Sequence, residues 1–214
     1  MLFRSELGRL EQAEASLRQA IALKSDFAEA HNNLGVTLQA LGRLEEAEAS
    51  YTKAIALKPD YAEAYSNFGV TLEKLGRSNE AEISYRQAIV LRPDYTEAHI
   101  NLGNTLKELG RLDEAKVSYS QAIVLKPDFT KAFTSLGFTL NAMGLKESAL
   151  KHFERSLQLK RGINPVDLHH QSFRQISNAK LDHDIEQFEY LAASGYDIKK
   201  FHELATLYKT VSSE

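Results

Sequence analysis

Asparagines stand at Asn33, Asn67 and Asn101, 34 residues apart, and Ser135 holds the next place in the series. A carboxamide offers both donors and an acceptor, so it can pair with the N–H and C=O of a peptide backbone without reading side chains. Each such bond nets roughly 0.5–1.5 kcal/mol, so a row of them gives modest affinity built by repetition. Asparagine is also a poor helix-interior residue, because its side chain competes for backbone hydrogen bonds. A blander reading is that these asparagines bond only within the protein. Neighbouring columns of the same period are Asn32, Ser66, Ile100, Thr134; Val36, Val70, Asn104, Phe138; and Gln39, Glu73, Lys107, Asn141. The expectation is that Asn33, Asn67 and Asn101 hold a ligand backbone, with Ser135 lining the groove in the same column. Val36, Val70, Ile100, Asn104, Lys107 and Phe138 would then set selectivity.

Other chemistry is poorly supplied. His169–His170 and Asp182-His183-Asp184 suggest a metal, but adjacent residues on a helix point about 100° apart, and ligands on one helix sit three or four apart. No glycine-rich phosphate loop, nucleophile elbow or dinucleotide fingerprint is present. Without cysteine, disulfides and thiolate metal sites are excluded. The expectation is no catalytic residue, no metal and no cofactor. Glu29, Glu63 and Glu97 form an acidic row that helix capping explains.

The elements that place these columns follow from the period. Residues 28–61, 62–95 and 96–129 are successive copies, 130–163 is a degenerate fourth, and 1–27 is a partial one. Self-similarity at this period marks a solenoid. In the first full copy Ala30, Leu34, Leu38 and Leu41 recur at helical spacing until Gly42. Ala47, Tyr51, Ala54, Ile55 and Leu57 then form a second stripe that stops at Pro59. Asp60 with Glu63 has capping-box spacing, as do Asp26 with Glu29 and Asp94 with Glu97, and the pattern fails at Asp128 and Lys131. Mid-helix Gly35, Gly69, Gly103 and Gly137 each cost roughly 1 kcal/mol against alanine. They predict a close approach between paired helices, with Ala47, Ala81 and Ala115 opposite. Tyr51, Tyr85 and Tyr119 would fill the space toward the next repeat. Gly8 corresponds to Gly42, so the partial copy should keep one whole helix, roughly 11–24, with Ala13, Leu17, Ala20 and Ile21 lacking part of their cover.

Leu34-Gly35, Leu38, Gly42, Ala47, Tyr51, Ala54 and Pro59 match the columns of the tetratricopeptide repeat, and residues 1–163 resemble that family. The usual tryptophan column is His31, Tyr65, His99 and Phe133. The resemblance implies an all-α, right-handed superhelical solenoid of antiparallel helix pairs, with first helices lining the concave face. The family's clamp for a C-terminal carboxylate needs Lys and Arg there, and Lys107 and Lys131 alone are too few. The asparagine row is instead similar to that of the O-GlcNAc transferases, in which asparagines hold an extended polypeptide.

Residues 164–214 are a different text, with one stripe of Leu181, Ile185, Phe188, Leu191 and Ala192 and another of Phe201, Leu204, Tyr208 and Val211. They predict a helical cap on the last repeat or a connector. Residues 1–163 carry 21 basic and 21 acidic residues, and 164–214 carry 5 and 8. That balance argues against a nucleic-acid binder. No stretch suits a signal peptide or a bilayer span, so a cytoplasmic protein is expected. The sequence points to a non-enzymatic scaffold binding an extended peptide or partner protein. Alternatives are the substrate-recruiting arm of a larger glycosyltransferase or oxygenase, and a homo-oligomer assembled through the uncovered N-terminal edge.

Overall fold

The computed structural model describes residues 2–161. Its helices are α1 (Leu2–Leu23), α2 (Ala28–Ala40), α3 (Leu44–Leu57), α4 (Ala62–Lys74), α5 (Ser78–Leu91), α6 (Thr96–Glu108), α7 (Leu112–Leu125), α8 (Thr130–Ala142) and α9 (Lys146–Arg161). Pairs α2/α3, α4/α5 and α6/α7 pack as hairpins, and each second helix packs on the next first helix. First helices also touch one another across the joints, α2 to α4, α4 to α6 and α6 to α8, which makes them the more closely spaced inner row.

The hairpin turn is set by one residue per repeat. Gly42, Gly76, Gly110 and Gly144 lie at φ of +75 to +78°, open to glycine without strain. Gly42 N–H bonds the Gln39 carbonyl (3.1 Å) and Arg43 N–H bonds that of Leu38 (2.9 Å), the Schellman pattern that satisfies the last carbonyls of a helix. Gly8 makes no such turn. Helix α1 continues through it without a positive φ.

The mid-helix glycines have a different cause. A Cβ built on Gly35, Gly69 or Gly103 would lie 2.6–2.7 Å from the ring of Tyr51, Tyr85 or Tyr119, and on Gly137 2.6 Å from Phe153. The tyrosine therefore packs on the glycine of its own repeat. All three tyrosines are 0% exposed, as are Ala47, Ala81 and Ala115.

Asp60 does not cap α4. Its place is the turn Lys58–Pro59–Asp60–Tyr61, closed by Tyr61 N–H on the Lys58 carbonyl (3.1 Å), and the helix starts after Tyr61 with no side-chain cap. The same holds at Phe27 and Tyr95. Each of these rings carries the cation three residues before it, Lys24 on Phe27 (5.3 Å), Lys58 on Tyr61 (4.7 Å) and Arg92 on Tyr95 (5.0 Å). Glu29 and Glu63 pair with Lys58 (3.3 Å) and Arg92 (2.5 Å).

Candidate functional site

The outward stripe of each first helix follows i, i+4, i+7, i+11 spacing. In α2 it is Glu29, Asn33, Val36 and Ala40; in α4, Glu63, Asn67, Val70 and Lys74; in α6, Glu97, Asn101, Asn104 and Glu108; in α8, Lys131, Ser135, Phe138 and Ala142. These residues are exposed or half-buried, Val36 at 45%. Asn33, Asn67, Asn101 and Ser135 thus form successive rungs on the inner row, with Val36, Val70, Asn104 and Phe138 beside them. Lys74 and Glu108 share this face and were not singled out by the sequence reading. Completing the stripe from position 33 by seven residues finds them.

Columns 32 and 39 turn sideways into the joints instead. Asn32, Ser66 and Ile100 are 5, 3 and 2% exposed. Ile100 is therefore core, not groove lining: it stands 100° around the helix from Asn101, which is the difference between facing a ligand and facing the neighbouring repeat.

The asparagines are partly engaged within the protein. Asn67 Nδ2 donates to Asn32 Oδ1 across the first joint (3.1 Å), and Asn32 Nδ2 donates to Asn33 Oδ1 (3.3 Å). Column 39 makes a second relay. Gln39 Oε1 accepts from Thr71 Oγ1 of the next repeat (2.9 Å) and from the Tyr51 hydroxyl (3.4 Å). Glu73 accepts from Thr105 Oγ1 (2.5 Å) and the Tyr85 hydroxyl (2.9 Å). Lys107 cannot accept. The Tyr119 hydroxyl donates to Asn104 Oδ1 instead (2.7 Å), so Asn104 answers a buried hydroxyl as well as facing the groove. Burial raises the pKa of Tyr51, Tyr85 and Tyr119, and the Glu73 carboxylate adds to it at Tyr85.

The opposite surface carries a ladder of charge. Arg43 bonds Glu46 in its own repeat (2.5 Å) and Glu14 in the previous one (2.7 Å). Arg77 does the same with Glu80 (2.6 Å) and Glu48 (2.8 Å), and Arg111 with Glu114 (2.7 Å) and Glu82 (2.5 Å). Arg86 closes the last set through Glu82 and Glu114, both at 3.0 Å. Hydrogen bonds from Arg43, Arg77 and Arg111 hold the carboxyls of Glu46, Glu80 and Glu114 below their ordinary range, and Arg18 does so for Glu14.

Among the described residues no cluster of His, Asp and Glu is placed to hold a metal, and no helix is long and apolar enough to cross a membrane. The histidines and aspartates at 169–184 and the stripes at 181–211 lie outside the described residues.

Three family models match: a TPR repeat over residues 5–42, and tetratricopeptide repeats over residues 26–94 and 96–129. Among solved structures, the crystal structure of MamA is similar at 26% identity and TM-score 0.68, covering 74% of this chain and 92% of that one. YrrB, described as a TPR protein with an unusual peptide-binding site, is similar at 25% identity and TM-score 0.62, covering 77% of this chain and 84% of its own. No curated protein matches the chain.

Proposed function

As the chain is a tetratricopeptide repeat protein, we propose that it is a cytoplasmic, non-enzymatic scaffold whose inner row of first helices holds an extended segment of a partner protein. The supporting observation is the alignment of Asn33, Asn67, Asn101 and Ser135 on the outward stripes of helices that touch in series. The internal bonds use the Asn33 oxygen and one Asn67 N–H. Asn33 keeps its N–H groups and Asn67 its oxygen for a ligand backbone, and these two are pre-oriented by the bonds they already make. The peptide-binding site named for YrrB supports the same reading. Val36 and Val70 favour aliphatic ligand side chains, and Phe138 an aromatic or aliphatic one.

The test uses peptides selected by the native protein from a random display library. An Asn67→Ala, Asn101→Ala double variant should bind them roughly 5- to 150-fold more weakly, from two bonds of this class. Unchanged affinity would sink the asparagine role.

Self-association through the N-terminal edge is a second reading, and one observation favours it. Ala13, Leu17 and Ala20 of α1 are half-buried, whereas their counterparts Ala47, Tyr51 and Ala54 are 0% exposed. Light scattering across concentrations should show a rising mass, and a constant monomer mass rejects this reading.

A further inference from the structure

The joints between repeats are of two kinds. Between α2/α3 and α4/α5, three directional links cross: Arg77 to Glu48, Thr71 to Gln39, and Asn67 to Asn32. Between α4/α5 and α6/α7 three cross again: Arg111 to Glu82, Arg86 to Glu114, and Thr105 to Glu73.

Between α6/α7 and α8/α9 the partners are exchanged at every one of these places. Lys116 stands where Glu48 and Glu82 stand, and Leu145 stands where Arg77 and Arg111 stand. Ser120 replaces Arg86, and Ser148 replaces Glu114. Lys107 replaces the acceptor, and the Thr139 hydroxyl keeps the bond to the Ser135 carbonyl of its own helix (2.9 Å) that Thr71 and Thr105 likewise make to the Asn67 and Asn101 carbonyls. The Tyr61 hydroxyl lies beside Asn32, and that of Tyr95 beside Ser66. The matching pair at the third joint is Phe129 and Ile100, apolar on both sides. A hydrogen bond between the Tyr119 and Ser135 hydroxyls still crosses this joint.

Hydrogen bonds and ion pairs hold an angle; apolar burial is non-directional and tolerates sliding. We propose that the third joint is an articulation of the fold, at which α8 and α9 pivot as a pair against α2–α7. The pivot lies between Asn101 and Ser135, so it changes the width of the groove at the rung bearing Phe138. Shear of this sort, a small slide of packed helices, is a recognised mode of domain closure.

The absence of cysteine permits clean spin labelling. One pair, Ala40→Cys with Glu108→Cys, spans only the first two joints. The other, Lys74→Cys with Ala142→Cys, spans the second and third. All four positions are exposed on the groove stripe. With neighbouring helices about 10 Å apart, each pair reports over about 20 Å. The 74/142 distance distribution should be roughly twofold broader than the 40/108 one. Equal widths overturn the proposal.

A second arm restores the links with Lys107→Glu, Lys116→Glu and Leu145→Arg, and should narrow the 74/142 distribution to match 40/108. A 74/142 width left unchanged in a folded restored protein also overturns it. Should that variant fail to fold, the two label pairs in the native background decide alone.

Discussion

The joint between the second and third repeats and the joint between the third and fourth enclose the same kind of core. In each repeat a ring lies on a glycine, Tyr85 on Gly69, Tyr119 on Gly103 and Phe153 on Gly137. Threonine at Thr105 and Thr139 is fully buried in both joints. Around that core the two joints differ at nearly every polar place: both partners of each ion pair are replaced, Arg111 and Glu82 by Leu145 and Lys116 and Arg86 and Glu114 by Ser120 and Ser148, whereas at the buried threonine only the acceptor changes, Glu73 to Lys107. The stack is made by interdigitation of side chains, which both joints have. Around it the joint between the second and third repeats adds directional links, Arg111 to Glu82, Arg86 to Glu114 and Thr105 to Glu73.

The largest effect tests what the joints share. Tyr85→Ala should cost about 3–5 kcal/mol by leaving a buried cavity. Gly69→Ala should cost about 1–3 kcal/mol by overpacking, a loss that outweighs its gain in helix propensity. In the double variant most of the Gly69→Ala cost should disappear, because the ring it strikes is gone. Thermal or urea unfolding measures all three, and simple additivity would break the account.

The next effect separates the joints at one column. Thr105→Val removes a bond to a carboxylate and should cost about 1.5–3 kcal/mol. Thr71→Val removes one to a neutral amide and should cost about 0.5–1.5 kcal/mol. Thr139→Val crosses no joint and should be nearly neutral. Equal costs along the series would erase the distinction between the joints.

The smallest effect concerns the surface ladder. Arg111→Ala should lower stability slightly, and the loss should fade at high salt. The carboxyls of Glu46, Glu80 and Glu114 are lowered by bonds from Arg43, Arg77 and Arg111. Their contribution is therefore present above the ordinary carboxylate value of about 4.5 and is lost as pH falls through the lowered folded values. Amide exchange at acid pH should rise in α3, α5 and α7, while α8 and α9 change less.

Much of this architecture was legible because a 34-residue period repeats every constraint: the hairpin turn at Gly42, the stop at Pro59 and the close approach at Gly35 are all read from recurrence. What misled was angular. Residues 32 and 33 are neighbours in sequence but 100° apart on the helix, so Ile100 looked like groove and is core. Asp60 had the spacing of a cap but sits in the turn before it, because the following aromatic is held by Lys58. Gly8 had the type of a turn residue, yet α1 continues through it. The role of Asn104 depends on Lys107 being unable to accept, which spacing alone does not reveal.

One consequence reaches beyond this molecule's mechanics. The tightest contact in each repeat, ring on glycine, is made entirely inside its own 34 residues. A unit of this kind can be duplicated or deleted whole without exposing a cavity, since the copy brings both halves of the contact with it. Only the residues that reach across to a neighbour must be matched afterwards, so array length is free to change first and rigidity is tuned later, one interface at a time.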